Sequence, residues 1–429
     1  NTRLVGSEMC IRDSARRMLF YNLFLYILFP FAILRLFSKK EFNFSELPRI
    51  KERFGKVNLE NNFQEKPIWI HAVSVGEVKV ASLLVKEIKK RHPNIKIFLT
   101  VSTLTGSRQL KKLYGNDLEH QYLPYDLNIF VKRFLSSIKP KCLILIETEI
   151  WPNLINNCVK QNIPIALLNG RLSEKSLKKY QRFETFFKKI FSQLSLVISQ
   201  SQKDSDNFVI AGVIPQKVFF DHSLKFSDLV SSNDSKEINK ADDKKEKKII
   251  VCASTHPKEE IFLINAYKKL NDSNFHLVLI PRHPHRSEEV RNILEDNKVT
   301  YVKFSNVLDL SYEMTLVDKM GLVESFFKIA DIAFMGGTLI PHGGQNFLEA
   351  VKHGLPIYSG ASTYNFSGIV EDLQRLKILN IIETESDLAS AWGNFSYNSD
   401  LKNRSNDYLL SRQGSVERSI EKLLTFIEA

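Results

Sequence analysis

Short apolar runs alternate along the chain with stretches whose apolar positions recur every three or four residues. The run at 67–73 (PIWIHAV) predicts a strand, and the spacing within 77–91 predicts an amphipathic helix after it. Further buried strands are predicted at 95–100, 142–146, 163–168, 196–199, 249–253, 275–280, 299–304, 330–335 and 355–359. Strands that alternate with helices indicate parallel sheets covered on both faces. The predicted fold class is therefore α/β.

A polar segment divides this alternation into two halves. Residues 231–248 (SSNDSKEINKADDKKEKK) are almost entirely polar, which is typical of an exposed linker. A chain of 429 residues also exceeds one ordinary core. We predict two Rossmann-like, doubly wound domains at 41–230 and 249–429. They are expected to face a central cleft, because open α/β sheets bind ligands at the carboxyl ends of their strands.

The amino-terminal region has a different pattern. Residues 1–17 match neither a signal peptide nor a helix face, and we interpret them as a non-native leader before a natural start at Met18. Residues 18–40 predict a membrane-anchor helix, with Tyr21 and Tyr26 near the headgroups. Its wholly apolar part, Leu23 to Leu34, is shorter than the ~20 residues of a straight span. The helix is expected either to span marginally or to lie in the interface; burial against the first domain is the alternative.

Charge and cysteine content narrow the functional classes. The net charge of +12 and pI near 9.3 favour a nucleic acid, an anionic membrane or acidic small molecules as partners. The basic residues do not form a stripe interleaved with aromatics, so we expect no nucleic-acid partner. The four cysteines show no C-x-x-C pairing, which argues against a disulfide framework or a zinc site.

Carboxylates follow two of the predicted strands in the first half. In HAVSVGE, Glu77 comes at a strand-to-helix turn, where it could accept a proton from an incoming hydroxyl, and the helix dipole is expected to keep it ionised. In ETEIWPN, alternation would place Glu147 and Glu149 on one side of the backbone. In NGRLS, Arg171 suits a carboxylate or phosphate. Dipole complementation by Glu77, structural hydrogen bonding by the other two carboxylates and an ordinary ion pair of Arg171 remain open.

Glycine-rich and basic loops follow the strands of the second half. They are ASTH at 253–256, PRHPHR at 281–286, MGGT at 335–338 and HGGQNFLE at 342–349. Backbone amides in such loops can cradle phosphate, and Glu349 could accept hydrogen bonds from ribose hydroxyls. Neither Walker A nor G-x-G-x-x-G occurs. Asp242 and Asp243 lie in the predicted linker, and we predict no metal site.

These motifs, in this order, resemble the 3-deoxy-D-manno-octulosonic acid (Kdo) transferase family. The resemblance implies a GT-B glycosyltransferase that moves Kdo from CMP-Kdo to a lipid A precursor (lipid IVA) in lipopolysaccharide biosynthesis. It implies an acceptor-binding first domain, a donor-binding second domain, and inverting transfer with no metal and no cofactor. The implied partners are the lipid A precursor, CMP-Kdo and anionic lipids of the bacterial inner membrane, with the catalytic domains on its cytoplasmic face.

The resemblance also implies roles for individual residues. Glu77 matches the general base and Glu149 a second catalytic position. The implied acceptor-side residues are Ser74, Gly76, Ser102, Thr103, Gly106 and Arg171. The implied donor-side residues are Lys225, Arg282, His283, Gly336, Gly337, Thr338, Asn346 and Glu349.

The chain departs from the family pattern in three places. His222-Ser223 stands where the family usually has Gly-Asn, and Gln345-Asn346-Phe347 stands for His-Asn-Pro. Gly321-Leu322-Val323 stands for Gly-Glu-Leu. Two other functions are compatible with the same motifs: a GT-B transferase with a different nucleotide-sugar donor, and a non-catalytic, membrane-anchored lipid-binding protein. Only an enzyme would lose its function on replacement of Glu77 by glutamine.

Overall fold

The chain folds into two compact units. The computed structural model describes residues 16–31, 33–34, 44–57, 65–115, 117–226, 238–240, 247–396 and 399–428. Unit 1 comprises Asn1–Asp228 with Gly414–Ala429, and unit 2 comprises Leu229–Gln413. Both are α/β units, as the alternating pattern predicts. Residues 1–15 of the predicted leader and most of the predicted linker lie outside the described residues.

Unit 1 is built on a seven-stranded parallel sheet. Its strands β1 to β7 are Ile68–His71, Ile97–Val101, His120–Tyr122, Cys142–Ile146, Ile165–Gly170, Leu196–Ser199 and Val218–Phe220. The helices α1 to α7 are Val75–Arg91, Leu104–Tyr114, Asn128–Ile138, Pro152–Lys160, Glu174–Gln181, Glu184–Ser192 and Gln202–Ala211. The strand order is β3-β2-β1-β4-β5-β6-β7. Strands β1, β2, β4 and β6 are buried at every position, because helices cover both faces of the sheet.

Unit 2 repeats this plan. Its strands β8 to β16 are Asn239–Lys240, Lys248–Thr255, Phe275–Pro281, Tyr301–Lys303, Val307–Leu308, Met314–Leu316, Ile332–Met335, Ile357–Ser359 and Leu379–Ile381. The helices α8 to α14 are Glu259–Leu270, Ser287–Asp296, Val323–Phe327, Leu348–Lys352, Ser367–Arg375, Glu385–Gly393 and Ser399–Leu410. The parallel sheet has the order β11-β13-β10-β9-β14-β15-β16, and β8 pairs separately with β12.

The last helix, α15 (Ser415–Glu428), belongs to unit 1 and not to the domain predicted at 249–429. Its residues Val416, Ile420 and Leu423 join the core beneath α1 and β1. An ion pair of 2.6 Å from Arg418 to Asp221 adds a polar contact within the same unit. The polar linker indicates where the chain passes from unit 1 to unit 2. The chain returns to unit 1 before α15, whose apolar residues pack in the core of that unit.

In each sheet, the strands continue on the opposite side of the first long strand at a point of reversed order. In unit 1 the reversal lies between β1 and β4, and in unit 2 it lies between β9 and β14. Loops that leave the carboxyl ends of such neighbouring strands run to opposite faces of the sheet, which opens a crevice where α/β proteins bind ligands. The motifs HAVSVGE and ETEIWPN follow the first pair of strands, and ASTH and MGGT follow the second.

The predicted amino-terminal helix is present at residues 16–31 and 33–34, and one of its faces is docked on unit 1. Tyr21 donates a 2.9 Å hydrogen bond to Asp126, and Asn22 accepts one of 2.9 Å from Asn153. Phe29 packs against Tyr125 and its neighbours. Tyr21 therefore faces the protein, contrary to its predicted position near headgroups, whereas Tyr26 is half exposed. No helix in the described ranges has the length and apolar character needed to cross a membrane.

Candidate functional site

Three carboxylates meet at the strand reversal of unit 1, and we call Glu77, Glu147 and Glu149 the carboxylate cluster. Glu77 lies in the first turn of α1, directly after β1, and the other two follow β4. Their charges act on one another: Glu147 raises the pKa of Glu77, and Glu77 raises that of Glu149. The structure thus brings together the two motifs that the sequence singled out.

The Glu77 carboxyl is buried, and its pKa is raised to about 7. Burial is the largest cause, and it outweighs the hydrogen bonds that lower the pKa. Those bonds come from the Val73 amide at 2.7 Å and the Ser74 hydroxyl at 2.9 Å. The expectation that the helix dipole keeps this group ionised is therefore wrong, because desolvation is the stronger effect. A carboxyl that titrates near neutrality is suited to accept a proton and later release it.

Glu149, like Glu77, has a raised pKa, whereas Glu147 forms an ion pair with Lys225. Burial raises the pKa of Glu149 to about 7, and its carboxylate accepts a 2.9 Å hydrogen bond from the Trp151 indole. Glu147 has a left-handed backbone with φ of 62°, which is strained for a side chain of this size. The extended alternation predicted for the pair is therefore broken at Glu147, whose carboxylate contacts the Lys225 ammonium at 3.2 Å.

Asn169, which the sequence reading passed over, holds the segment that carries Lys225. Its side-chain oxygen accepts hydrogen bonds from the Leu224 amide at 3.0 Å and the Ser223 hydroxyl at 3.3 Å. The residue is buried and also left-handed, with φ of 57°. Its place near the carboxyl end of β5, directly before a glycine, is the signal that could have identified it. The chain's own Ser223 thus has a partner in unit 1, although the family pattern has another residue there.

The predicted acceptor-side loop after β2 is attached to the loop that carries Glu77. The Thr103 hydroxyl donates a 2.8 Å hydrogen bond to the Val73 carbonyl and accepts one from the Gly106 amide. A Cβ on Gly106 would come within 3.1 Å of that same carbonyl. The Ser102 carbonyl accepts a 2.9 Å hydrogen bond from Arg53. These residues therefore fix the position of the Glu77 loop.

Arg171 is half buried beside the carboxylate cluster's loop. Its backbone carbonyl accepts a hydrogen bond from the Thr148 hydroxyl, which joins the NGRLS and ETEIWPN segments. Burial raises the pKa of Asp204, a residue of α7, and the Arg171 guanidinium opposes part of that rise. Arg171 therefore interacts electrostatically with a carboxylate of unit 1.

Gly76, beside Glu77, is exposed and leaves open space at the start of α1. A Cβ added there would meet nothing of the protein closer than the Ser74 hydroxyl, at 3.9 Å. A side chain at this position therefore costs the fold little. It would occupy space next to Glu77, where a hydroxyl compound would approach if this carboxylate acts as the expected base.

Replacing Gly76 by valine is expected to lower kcat/KM for the acceptor by about 10–100-fold, because displacement of a reacting group by about 1 Å is that costly. The midpoint of thermal unfolding should stay unchanged or rise slightly. Alanine should give a smaller loss, and Lys86→Val, an exposed change on the same helix, should give none. Equal losses in the Gly76 and Lys86 variants would contradict an approach path at Gly76.

The pKa of Glu77 sets the expected pH dependence. A base must be ionised to accept a proton, so kcat/KM is expected to fall as the pH drops through about 7. Glu147 raises the pKa of Glu77 and Lys225 lowers it. Glu147→Gln removes a negative charge and releases the lysine, so both effects should move the acidic limb of the profile to lower pH. A shift to higher pH in a kcat/KM titration would contradict this assignment.

In unit 2, the glycine-rich loop after β14 is wrapped around a buried carboxylate, that of Glu259. One of its oxygens accepts hydrogen bonds from the Thr338 and Leu339 amides at 3.0 and 2.9 Å. The other accepts from the His256 and Gly337 amides at 2.9 and 2.7 Å. The Glu259 side chain is fully buried. The loop amides that were expected to cradle phosphate are therefore already occupied.

The remaining polar groups of that loop are also used within unit 2. The Gly336 amide donates to the Ala253 carbonyl at 2.8 Å. The Thr338 hydroxyl donates to the Met335 carbonyl at 2.7 Å and accepts from the Gly360 amide at 2.8 Å. Sequence reasoning missed Glu259 because its partners at 337–339 are some eighty residues away in the chain; its place in the first turn of α8 was the available signal.

The two arginines of PRHPHR have different roles. Arg286 is buried, pairs with Glu260 at 2.7 Å and with Glu289 at 2.9 Å, and so anchors its loop to α8. Arg282 is exposed, and its backbone amide donates to the Thr255 carbonyl at 2.9 Å. Of the two, Arg282 is the one whose guanidinium is available to a ligand of unit 2.

Four imidazoles lie together at the strand reversal of unit 2, and we call His256, His283, His285 and His342 the histidine cluster. The ring centroids of His256 and His342 are 4.2 Å apart, and those of His256 and His283 are 6.0 Å apart. His285 stacks on His283 at 5.4 Å. Only His283 was among the predicted site residues. Within the described ranges, no three histidine, cysteine, aspartate or glutamate side chains are arranged to hold a metal ion.

The loop before α11 carries the other predicted donor-side residues. The Asn346 side-chain amide donates a 3.2 Å hydrogen bond to the Glu349 carboxylate, and its oxygen accepts from the Leu348 amide. Gly343 and Gly344 both have positive φ values, and the Gly344 amide donates to the Gly337 carbonyl at 2.8 Å. The two glycine-rich loops are thus joined. Glu324, next to one departure from the family pattern, pairs with Lys352 at 2.6 Å.

The chain is similar to known proteins of one family. Residues 48–228 match a family model described as 3-deoxy-D-manno-octulosonic-acid transferase (kdotransferase). The 3-deoxy-D-manno-octulosonic acid transferase of Haemophilus influenzae is 31% identical over 394 residues, which cover 89% of this chain and 92% of the relative. That of Rickettsia bellii is 34% identical over 340 residues, which cover 78% and 80% of the two chains.

The solved structures show the same fold at low identity. A UDP-N-acetylglucosamine 2-epimerase from Neisseria meningitidis matches with a TM-score of 0.58 and 12% identity, over 84% of this chain and all of the other.

Proposed function

This chain belongs to the 3-deoxy-D-manno-octulosonic acid transferase family, whose members are glycosyltransferases, and we propose that it moves Kdo from CMP-Kdo to a lipid A precursor as a GT-B enzyme. Unit 1 would receive the lipid hydroxyl and unit 2 the cytidine nucleotide. The observation that carries this proposal is Glu77, a buried base with a pKa raised to about 7 beside the open space left by Gly76.

The proposed reaction is a single displacement. Glu77 accepts the proton of the acceptor hydroxyl while that oxygen forms a bond to the anomeric carbon of Kdo. The bond from this carbon to the phosphate oxygen breaks, and the electron pair leaves with CMP. Burial of Glu77 supports this role because it raises the basicity of the carboxylate.

Arg282 would meet the negative charge that develops on the departing phosphate in unit 2, and the family resemblance implies that Lys225 of unit 1 also contacts the donor. The Lys225 ammonium forms an ion pair of 3.2 Å with the Glu147 carboxylate. This pair holds the lysine in place and partly balances its charge before the donor binds. Arg282 extends from the carboxyl end of β10 and is exposed. Stabilisation of developing charge by fixed groups is commonly the largest contribution to catalysis.

Incubation with CMP-Kdo and a tetraacylated disaccharide lipid tests the function directly. The expected product is the lipid with its mass increased by one or more Kdo units, together with an equal amount of CMP for each unit. The same mixture with UDP-N-acetylglucosamine as donor should leave the lipid unchanged. Transfer from the UDP-sugar, or no transfer from active CMP-Kdo, would contradict the proposal.

We further propose that the amino-terminal helix attaches the enzyme to the cytoplasmic face of the inner membrane by lying in its interface. The helix face opposite the docked one is apolar and exposed, with Leu19, Phe20, Leu23, Phe24, Ile27, Phe31 and Leu34 each between 56% and 68% exposed. Arg16 and Arg17 at its start are also exposed and favour an anionic surface. A helix that leaves an apolar face exposed next to basic residues is suited to interfacial attachment.

Replacing both Phe20 and Phe24 by aspartate is expected to weaken binding to vesicles of phosphatidylethanolamine and phosphatidylglycerol by at least about tenfold, since each phenylalanine contributes about 1.5–3 kcal/mol on burial. Co-sedimentation at fixed salt measures the change. Phe183→Asp is the matched control, because Phe183 is 67% exposed and lies directly before α6 of the same unit. A loss that is equal in both variants would contradict attachment through the amino-terminal helix.

A further inference from the structure

The occupied glycine-rich loop of unit 2 changes what can bind an anion there. The Gly337, Thr338 and Leu339 amides all donate to Glu259, and the Gly336 amide donates to the Ala253 carbonyl. A phosphate group cannot use these donors while Glu259 holds them. The anion must be met by side chains that reach the same edge of the sheet.

His256 is the side chain best placed to do so. It follows β9 at the strand reversal, it is 4% exposed, and its Nε2 atom is buried without a hydrogen-bond partner. Gly337 lies against this ring: a Cβ built on the glycine would come within 3.5 Å of Nε2. The His256 backbone amide is held by Glu259 at 2.9 Å, so the position of the ring is fixed by the same carboxylate that shapes the loop.

Cationic and titratable side chains surround His256. The exposed His342 ring packs edge-on at 4.2 Å, His283 lies at 6.0 Å, and the guanidinium groups of Arg282 and Arg286 also act on it. The one carboxylate described at its backbone is Glu259, and Arg286 is itself paired with Glu260 and Glu289. An anion is the ligand that such a set of groups favours.

We propose that the histidine cluster, with Arg282, is the phosphate subsite of unit 2, and that the cluster takes up a proton when a cytidine nucleotide binds. The inference rests on the proposed function for the identity of the nucleotide. His256 Nε2–H, once formed, donates to a phosphate oxygen, and the exposed His342 ring moves aside to admit it. Release of CMP then returns the proton to water.

The direction of the proton transfer follows from the electrostatics of the empty site. Burial, and then the neighbouring cations, lower the pKa of His256 to about 4, so it is neutral at pH 7. The same causes lower the pKa of His283. A bound phosphate adds negative charge next to these rings and raises their pKa values. Nucleotide binding is therefore stronger at lower pH, between the pKa values of the free and bound states.

Calorimetry of CMP binding to the full chain in buffers of different ionisation enthalpy tests the proposal. The test is made at pH 7.5, above the phosphate pKa of about 6. There the wild type is expected to take up about half a proton to one proton per CMP. Its affinity for CMP is expected to fall about threefold to tenfold for each unit rise in pH. Cytidine, which lacks the phosphate, should bind without proton uptake. His256→Asn should abolish most of the uptake and weaken CMP binding by about tenfold.

Two further variants keep the test decisive if His256→Asn unfolds. His342→Asn changes an exposed residue of the cluster and should reduce the uptake, whereas His353→Asn, a histidine of unit 2 outside the cluster, should leave it unchanged. Binding of CMP with no proton uptake, or uptake that survives both cluster variants, overturns the proposal while the transferase function stands. Absence of CMP binding together with absence of Kdo transfer overturns the proposed function instead.

Discussion

Replacing Glu77 by glutamine is expected to lower kcat by about 10²–10⁴-fold, because that is the usual contribution of a positioned general base. Glutamine has the same shape and can still accept the 2.7 Å hydrogen bond from the Val73 amide, so the loop should keep its position. What is lost is the ability to take a proton. Transfer of Kdo under saturating CMP-Kdo and acceptor measures the change.

The control for this variant uses a second glutamate at a helix start. Glu174 lies in the first turn of α5 and is exposed. Glu174→Gln therefore removes a charge that interacts favourably with the helix dipole, without removing a proposed base. We expect this variant to retain wild-type activity and both variants to retain the wild-type circular dichroism spectrum. If both variants lost activity to the same small extent, Glu77 would only complement the helix dipole.

Replacing Glu259 by glutamine is expected to destabilise unit 2 strongly. Four backbone amides donate to the two carboxylate oxygens, and a glutamine would turn its own N–H₂ group toward two of these donors. A buried donor without an acceptor costs about 1–3 kcal/mol, so we expect a loss of about 3–5 kcal/mol in the free energy of unfolding. Affinity for CMP should fall with it, because the loop and His256 lose their common anchor.

Denaturant unfolding monitored by circular dichroism measures this loss. Glu288→Gln is the matched control, since Glu288 is exposed in the same unit and pairs only at the surface with Arg291. A stability within about 1 kcal/mol of wild type for Glu259→Gln would show that the loop does not depend on the carboxylate. Loss of CMP binding without loss of stability would mean that Glu259 contacts the nucleotide directly.

The alternation of buried strands and helices was predictable because strands of a parallel sheet covered on both faces are apolar at nearly every position. The run at 142–146 corresponds to β4 without a change of boundary, and 67–73 contains β1. The three-residue strands β3, β7, β13 and β16 were missed, because three positions are too few to show a period. The equally short β11 and β15 were predicted because they lie within longer apolar runs. Their pairing is decided by the neighbouring strands of the sheet.

The site was predictable as a set of motifs but not as a set of interactions. Glu77 was identified from its place after β1, yet its ionisation depends on burial that only packing creates. Gly337 and Thr338 were identified from their glycine-rich loop, yet their amides are held by a glutamate far away in sequence. Asn169 was overlooked because a single asparagine near the end of a strand gives no indication of which distant segment it will hold.

The return of α15 to unit 1 has a consequence for synthesis on the ribosome. Translation is vectorial, and domains generally fold as units while the chain emerges. Unit 2 is complete in sequence at Gln413, before the residues that finish unit 1 have been made. Unit 1 therefore cannot complete its core until the last helix leaves the exit tunnel. Until then, the surface of α1 and β1 lacks Val416, Ile420 and Leu423. A chaperone that shields this apolar surface would act in that interval.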